Sequence, residues 1–194
     1  SYIKNVGGEK ALSGVKSVVT VSSGTIQGTP LELTAKTTNG KLSREIKAMG
    51  MSMMKQVVND KGAYIVQQGQ RKDLAGEDLK DMKDEAVPFA ELTLAKKAGV
   101  TLEGIESVNG TDAYAIKDGK STYYFDTKTG LKVAESKTVD MGGKPMTQMI
   151  MLGDYREVKG IKFPYHTTLN IGMEIDLTTT DVKINEGVSD ADFQ

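Results

Sequence analysis

Short runs in which apolar and polar residues alternate fill most of this chain, and turn residues separate them. In one such run Leu31, Leu33 and Ala35 alternate with Glu32 and Thr34. A period of two residues is that of a half-buried strand, whereas a helix repeats every 3.6 residues. Asn-Gly pairs and similar turns between the runs are typical of hairpins. Because parallel strands need crossovers of about a dozen residues or more, the pattern predicts an antiparallel sheet of about twelve strands.

Two segments break the strand pattern. Near the start, apolar residues at helical spacing flank Gly7–Gly8, and in mid-chain a second helical pattern surrounds Pro88, which suits the first position of a helix. Neither a linker nor a repeat longer than a hairpin is present, so we predict a single domain over residues 1–194. Its predicted parts are an N-terminal helix over 1–15, a β-meander over 16–69, a helical insertion over 74–98, a second β-meander over 101–185 and a C-terminal tail over 186–194.

Alternation indicates one apolar face along much of the sheet. A wide sheet with one apolar face has to curve and to be covered, and short helices are the covering that this sequence offers. The expected fold is therefore mainly β (α+β), a large curved antiparallel sheet that forms a half-barrel covered by short helices. The residues assigned to the apolar face are Met51, Met53, Ile65, Tyr123, Phe125, Met149, Met151, Ile161, Phe163, Ile175 and Leu177.

Composition excludes several classes of function. The 25 basic and 26 acidic residues are interspersed and give a net charge of −1, whereas nucleic-acid binding needs a basic patch or stripe. The apolar runs are far shorter than the roughly 20 residues that cross a bilayer as a helix. The chain has no cysteine, which excludes disulfides and thiolate metal sites. No signal-peptide pattern is present at Ser1, so we expect any export signal to lie outside this sequence.

Catalytic and metal-binding patterns are missing. The single histidine, His166, has no Gly-x-Ser-x-Gly motif to accompany it, and zinc sites without cysteine generally need more than one histidine. The acidic residues between Glu77 and Glu85 follow one side of the predicted helix and lack the EF-hand spacing. We therefore predict no enzymatic activity, no metal and no cofactor.

Seven of the ten methionines lie in two clusters, four at residues 49–54 and three at residues 146–151. Thioether side chains fill irregular cores, but they also line surfaces that accept variable apolar ligands. Both interpretations stay open at this point. A sheet with more apolar face than two short helices can cover favours an internal apolar cavity.

Four segments resemble those of LolA/LolB-like lipoprotein carriers of the bacterial envelope: residues 2–12 (YIKNVGGEKAL), 124–131 (YFDTKTGL), 154–164 (DYREVKGIKFP) and 188–193 (VSDADF). Two more, 49–57 (MGMSMMKQV) and 67–70 (QQGQ), are similar to the LolA-like region downstream of insulinase/pitrilysin-type zinc peptidase modules. The His-x-x-Glu-His signature of those peptidases is absent, so no protease activity is implied.

The resemblance implies a non-enzymatic periplasmic domain that binds a lipid or the acyl chain of a lipoprotein between sheet and helices. The alternative is a non-catalytic accessory module that docks onto a larger envelope protein, such as a peptidase domain in the same polypeptide. A cavity open to solvent favours the first, and a filled core with an exposed apolar patch favours the second. The residues expected to line the cavity are Ile46, Met51, Met53, Ile65, Leu79, Met82, Phe89, Leu92, Phe125, Met149, Met151 and Phe163.

Overall fold

The computed structural model describes residues 1–94, 96–140, 145–170 and 174–194, with the backbone alone at 139 and 140. The helices in this part of the chain are α1 (Tyr2–Val6), α2 (Glu9–Ser13), α3 (Gly76–Asp84), α4 (Glu91–Leu94) and a closing 3₁₀ helix (Asp190–Phe193). The strands are β1 (Ser17–Ile26), β2 (Thr29–Thr38), β3 (Lys41–Ala48), β4 (Met51–Asn59), β5 (Gly62–Gln67), β6 (Gln70–Asp73), β7 (Thr101–Val108), β8 (Thr111–Asp118), β9 (Ser121–Asp126), β10 (Lys132–Asp140), β11 (Pro145–Val158), β12 (Ile161–Asn170) and β13 (Glu174–Ile184).

The thirteen strands of the described residues are hydrogen-bonded in the order β6-β5-β4-β3-β2-β1-β13-β12-β11-β10-β9-β8-β7. Strands β6 and β7 therefore stand at the two ends of this order. Neighbours in sequence pair antiparallel through short turns, as in β2 with β3 and β11 with β12. The predicted fold class, a mainly β chain built on a large antiparallel sheet with short helices, is confirmed.

The chain divides into two compact units. The first contains Ser1–Leu12 and Glu91–Leu177, and the second contains Ser13–Ala90 and Thr178–Gln194. Strand β13 contributes its first residues to one unit and its remainder to the other. The expectation of a single domain over residues 1–194 stays a prediction.

Two-residue turns with positive φ join several of the strands, as the Asn-Gly pairs predict. Asn109 and Gly110 join β7 to β8 with φ angles of 47° and 78°. Both angles lie in the left-handed region, which the primed hairpin turns require and which Asn and Gly adopt at least cost. These turns exclude crossovers, so each chain reversal produces an antiparallel neighbour.

Helix α3 covers one face of the second unit's sheet. Leu79 and Met82 of the helix pack against a buried cluster of strand residues that includes Leu42 and Val58. Arg44 of β3 donates to the Glu85 carboxylate, with 2.6 Å between Nη1 and Oε2. An amphipathic helix gains most of its stability from such packing, and α3 with nine residues needs it.

The opposite face of the second unit is covered by the C-terminal 3₁₀ helix. Phe193 is 3% exposed and packs with Val57 and Tyr64. A capping box between Ser189 and Asp192 defines the start of this helix. Phe193 is therefore part of the core and covers the face of the sheet opposite α3.

The helical insertion differs from the sequence-based expectation in detail. Helix α3 ends at Asp84 because the chain turns to bury Ala86, whose carbonyl accepts a hydrogen bond of 2.7 Å from Gly40 N–H. Helix α4 begins at Glu91, three residues beyond the predicted start at Pro88. Strand β6 was not predicted, and Ala95 of the insertion lies outside the described residues.

Each helix among the described residues is too short or too polar to span a bilayer.

Candidate functional site

The register of the first unit separates its sheet into two faces, because directly paired residues of antiparallel strands point to the same side. We name these the Phe125 face and the Tyr124 face, after two consecutive residues of β9. Tyr124 pairs with Ala115 and Ala134, whereas Phe125 pairs with Tyr114 and Lys132. Neighbouring residues of a strand point in opposite directions, so these two sets lie on opposite sides.

The Phe125 face consists of two cross-strand rows. Both rows begin on the terminal strand β7 and run inward across the sheet. The first row is Leu102, Ile116, Tyr123, Glu135, Ile150 and Leu169, and the second is Ile105, Tyr114, Phe125 and Lys132. These two rows are therefore mostly apolar, and their charged residues, Lys132 and Glu135, lie on β10.

The outer end of the Phe125 face is exposed to solvent. Leu102 is 63% exposed, Ile105 60% and Tyr114 42%. Single exposed apolar residues are ordinary, but three large ones on adjacent strands of one face form a patch. Such a patch in water is unfavourable unless something covers it in use.

The inner end of the same face lies beneath α1 and α4. The Tyr2 ring of α1 meets the Phe125 ring edge-on, with 5.3 Å between centroids. Glu91 of α4 accepts a hydrogen bond from Lys132, with 2.7 Å between Oε1 and Nζ. The Tyr155 hydroxyl donates to the Lys132 carbonyl oxygen at 2.7 Å. The aromatic contact thus attaches α1 to the sheet and the ion pair attaches α4, and Asn5 of α1 also donates to the Thr129 carbonyl oxygen at 2.6 Å.

The charges of this inner cluster stabilise one another in a buried setting. Burial disfavours the ammonium of Lys132, but the carboxylates of Glu91 and Glu135 outweigh that effect and hold its pKa well above the ordinary value. Burial likewise opposes ionisation of Glu91, yet Lys132 holds the pKa of Glu91 below its ordinary value. Burial raises the pKa of the Tyr2 and Tyr155 phenols. The cluster therefore combines one ammonium, two carboxylates and two neutral phenols, with a net charge of −1 at neutral pH.

Close approach of the backbone holds α1 in this position. A Cβ atom on Gly7 would lie 2.9 Å from the Gly160 carbonyl oxygen and 3.3 Å from a side-chain carbon of Ile161. Gly7 also has a φ of 146°, where a side chain is strained. Glycine at this position therefore lets α1 lie directly against the β11–β12 turn.

The Tyr124 face has a different character, because small side chains are buried there. Ala113, Ala115 and Ala134 are fully buried with Tyr124. Met149 and Met151 pack against them. These two methionines therefore contribute to packing on this face, and whether they also contact a ligand stays a prediction.

The predicted cavity residues of the first unit are thus divided between two faces. Alternation predicts Phe125, Met149 and Met151 on one face, but Met151 pairs with Ala134 and Met149 with Ser136, which places both methionines on the face opposite Phe125. Phe163 is 7% exposed and lies on the Phe125 face. It is an even number of residues from Leu169 of the same strand, which pairs with Ile150 on that face. Leu92 is half-buried on α4.

In the second unit the predicted residues also separate, by exposure. Leu79 and Met82 of α3 pack against the buried cluster of the second unit, and Phe89 is half-buried in the segment that follows α3 in sequence. Ile46 and Ile65 are half-buried and lie on the α3 side of the sheet. Each is an even number of residues from a residue of that side on its own strand, Ile46 from Leu42 and Ile65 from Ala63. Met51 is 64% exposed and Met53 is 44% exposed. Whether the twelve residues contact a ligand stays a prediction.

Sequence reasoning did not find the exposed patch on β7 and β8. Its signal was hidden by a bulge, since the register shifts between Leu102 and Gly104. The bulge brings Leu102 and Ile105 to the same face although three positions separate them, a spacing that does not fit strict alternation. A search that allows one extra residue in a strand would have grouped them with Tyr114.

His166 has no catalytic setting. Its Nε2 lies 3.3 Å from Asp176 Oδ1, and both side chains are more than half exposed. Across the described residues, no three His, Cys, Asp or Glu side chains are grouped so as to hold a metal ion.

Two solved structures resemble this chain over nearly its whole length. A DUF1329 family protein from Desulfovibrio piger has a TM-score of 0.59 at 12% identity, covering 95% of this chain and 92% of its own. A LolA superfamily protein from Nitrosomonas europaea has a TM-score of 0.56 at 10% identity, covering 97% and 98%. No family model and no curated protein matches the sequence. The chain therefore has a LolA-like fold, and at this identity the likeness concerns the fold alone.

Proposed function

We propose that this chain binds an apolar ligand, a lipid or the acyl chain of a lipoprotein, on the Phe125 face. The observation that carries the proposal is the exposure of Leu102, Ile105 and Tyr114 on one face. The same rows continue inward to Phe125 beneath α1. An acyl chain laid along these rows extends the apolar contact of Tyr2 with Phe125 outward to β7.

The free energy available from such a contact is sufficient for useful affinity. Each methylene group moved out of water contributes about 0.8 kcal/mol. A chain of about ten methylenes that is half covered by the sheet thus gains about 4 kcal/mol before its own ordering is counted. The exposed side chains of the protein add to this gain because the ligand removes them from water as well.

A non-catalytic role in the periplasm or elsewhere in the envelope is part of the same proposal. Two things support it, the LolA-like fold and the four segments that resemble lipoprotein carriers. We further propose that Phe125 and Phe163 belong to the ligand-binding face, while Met149 and Met151 support it from the other side of the sheet.

The alternative is an accessory module that docks onto a larger envelope protein, such as a zinc peptidase. It needs the same exposed patch but a different occupant. If the patch binds a protein partner, fatty-acid binding is expected at background level. If it binds an acyl chain, fatty-acid binding is expected above background. Ligand binding therefore separates the two functions directly.

A fluorescent fatty acid tests the proposal. Ile105→Asp and Tyr114→Asp place a charge in the exposed patch, and we expect each to weaken binding at least about tenfold, equivalent to about 1.4 kcal/mol. Asn170→Asp is the matched control, since it adds the same charge at an exposed position that pairs with Met149 on the Tyr124 face. Equal affinity in all three variants, or no uptake by the unaltered chain, contradicts the proposal.

A further inference from the structure

Four methionines lie within six residues at the β3–β4 hairpin, in the segment Met49-Gly50-Met51-Ser52-Met53-Met54. Met49 is 77% exposed, Met51 64% and Met53 44%. Methionine usually fills gaps in a core, whereas Met49 and Met51 bury little surface and Met53 is only a little more than half buried. Core packing therefore does not account for their presence at the hairpin end.

The backbone at Met49 adds to this observation. Met49 and Gly50 form the two-residue turn between β3 and β4, with φ angles of 51° and 77°. Turns of this kind favour Asn-Gly, and another residue in the left-handed region costs about 1 kcal/mol. Gln27, Gln68 and Lys159 hold the same left-handed position before glycine in other turns, and all three are polar. An exposed apolar methionine at this position therefore points to a use for its side chain.

A bulge reorients the next part of the segment. Ile46 pairs with Met54 while Lys47 pairs with Ser52, which leaves Met53 as the extra residue of β4. Bulges redirect a side chain out of the regular alternation. Two positions along a strand span about 7 Å, a distance that long and flexible methionine side chains reach across.

The only donor atoms that these side chains offer are thioether sulfurs. Thioethers are soft and neutral, and they select Cu(I) over the hard cations, which prefer oxygen ligands. We propose that Met49, Met51 and Met53 bind one Cu(I) ion at the end of the β3–β4 hairpin, with Met54 as a neighbouring donor. Ag(I), which has the same charge and similar softness, binds the same site without redox chemistry.

This proposal is independent of the apolar ligand, because the hairpin belongs to the second unit and the Phe125 face to the first. Replacement of methionine by leucine removes the sulfur and keeps the apolar volume. Such variants distinguish metal binding from lipid binding and from docking of a protein, both of which leucine supports.

Titration of the whole chain with Ag(I), followed by the ¹³C signals of the methionine methyl groups, is the test. We expect saturation at one ion per chain and shifts confined to the hairpin methionines. The triple variant Met49→Leu, Met51→Leu, Met53→Leu is expected to bind at least about tenfold more weakly and to retain fatty-acid binding. The control pair Met149→Leu, Met151→Leu is expected to bind Ag(I) like the unaltered chain.

The pH dependence gives a second readout. Imidazole and carboxylate ligands must lose a proton before they bind metal, whereas a thioether does not titrate. The affinity is therefore expected to be constant between about pH 5 and pH 8. Binding that never saturates, that survives in the triple leucine variant, or that weakens across this pH range overturns the proposal.

Discussion

Lys132 and Glu91 form an ion pair of 2.7 Å in which both side chains are only 13% exposed. The pair joins the first residue of β10 to the first residue of α4, and so attaches a helix of four residues to the sheet. Removal of one partner from a buried pair costs about 3–5 kcal/mol when the remaining charge is left uncompensated, and here Glu135, 3.0 Å from Lys132 Nζ, keeps the cost at the lower end. We expect Glu91→Leu to lower the free energy of unfolding by about 3 kcal/mol in chemical denaturation.

The double variant Glu91→Leu, Lys132→Met is the control for that measurement. Replacement of both charges by apolar groups of similar size is often neutral. We expect it to lie within about 1 kcal/mol of the unaltered chain. A single variant as stable as the double one shows that the pair does not attach α4.

The same pair sets a pH dependence of stability. The pKa of Glu91 is lower in the folded chain than its ordinary 4.5, so its contribution is present above pH 4.5 and is lost as the pH falls through the folded value. The pKa values of Asp126 and Asp192 are lowered as well and act in the same direction. The pKa of Lys132 is raised above 10.5, so its contribution is kept until the pH rises beyond that value.

We therefore expect the urea midpoint to be level from about pH 6 to pH 10 and to fall below about pH 4. The acid limb is expected to be shallower in Glu91→Leu, because one of the carboxylates responsible for it is gone. An acid limb of the same slope in that variant assigns the effect to other carboxylates.

Gly7 and Gly8 offer a matched pair for testing the close contact of α1 with the β11–β12 turn. Both have positive φ, 146° and 86°, but only a Cβ on Gly7 meets another atom, the Gly160 carbonyl oxygen at 2.9 Å. We expect Gly8→Ala to cost about 1 kcal/mol through backbone strain and Gly7→Ala about 2–3 kcal/mol, since α1 must also move. Thermal unfolding of the two variants provides the comparison. Equal losses of stability in the two contradict close packing of Gly7 against the Gly160 carbonyl oxygen.

The two roles of methionine in the second unit can be separated by truncation. Met82 packs against the cluster under α3, so Met82→Ala is expected to destabilise by about 1–2 kcal/mol. Met51 is mostly exposed, so Met51→Ala is expected to change stability by less than about 0.5 kcal/mol. Equal effects in urea denaturation indicate that Met51 is packed in solution.

Much of the fold follows from short-range sequence signals. Alternation together with turn pairs such as Asn109–Gly110 predicts antiparallel hairpins, and both departures from alternation coincide with helices. These features depend on neighbouring residues alone. Helical spacing also identifies the apolar side of α3, on which Leu79 and Met82 pack against the sheet, while their expected place in a ligand cavity stays a prediction.

The assignment of residues to faces does not follow from such signals. A two-residue turn pairs odd with even positions, so faces exchange parity from strand to strand, as where Ile105 pairs with Tyr114 across the Asn109–Gly110 turn. Bulges at Met53 and at Val133 shift the pattern again. A reading that grouped odd-numbered residues on every strand therefore combined Phe125 with Met151, which the register places on opposite sides.

Photo-crosslinking with a fatty acid that carries a diazirine on its acyl chain tests the central claim most directly. The label reacts with the side chains that it touches, and mass spectrometry of the digested chain identifies them. We expect modification on the Phe125 face, in β7, β8 and β9 around Leu102, Ile105 and Tyr114, and competition by unlabelled fatty acid. Labelling absent from these strands, or equal in the presence of competitor, contradicts binding of an acyl chain at this face.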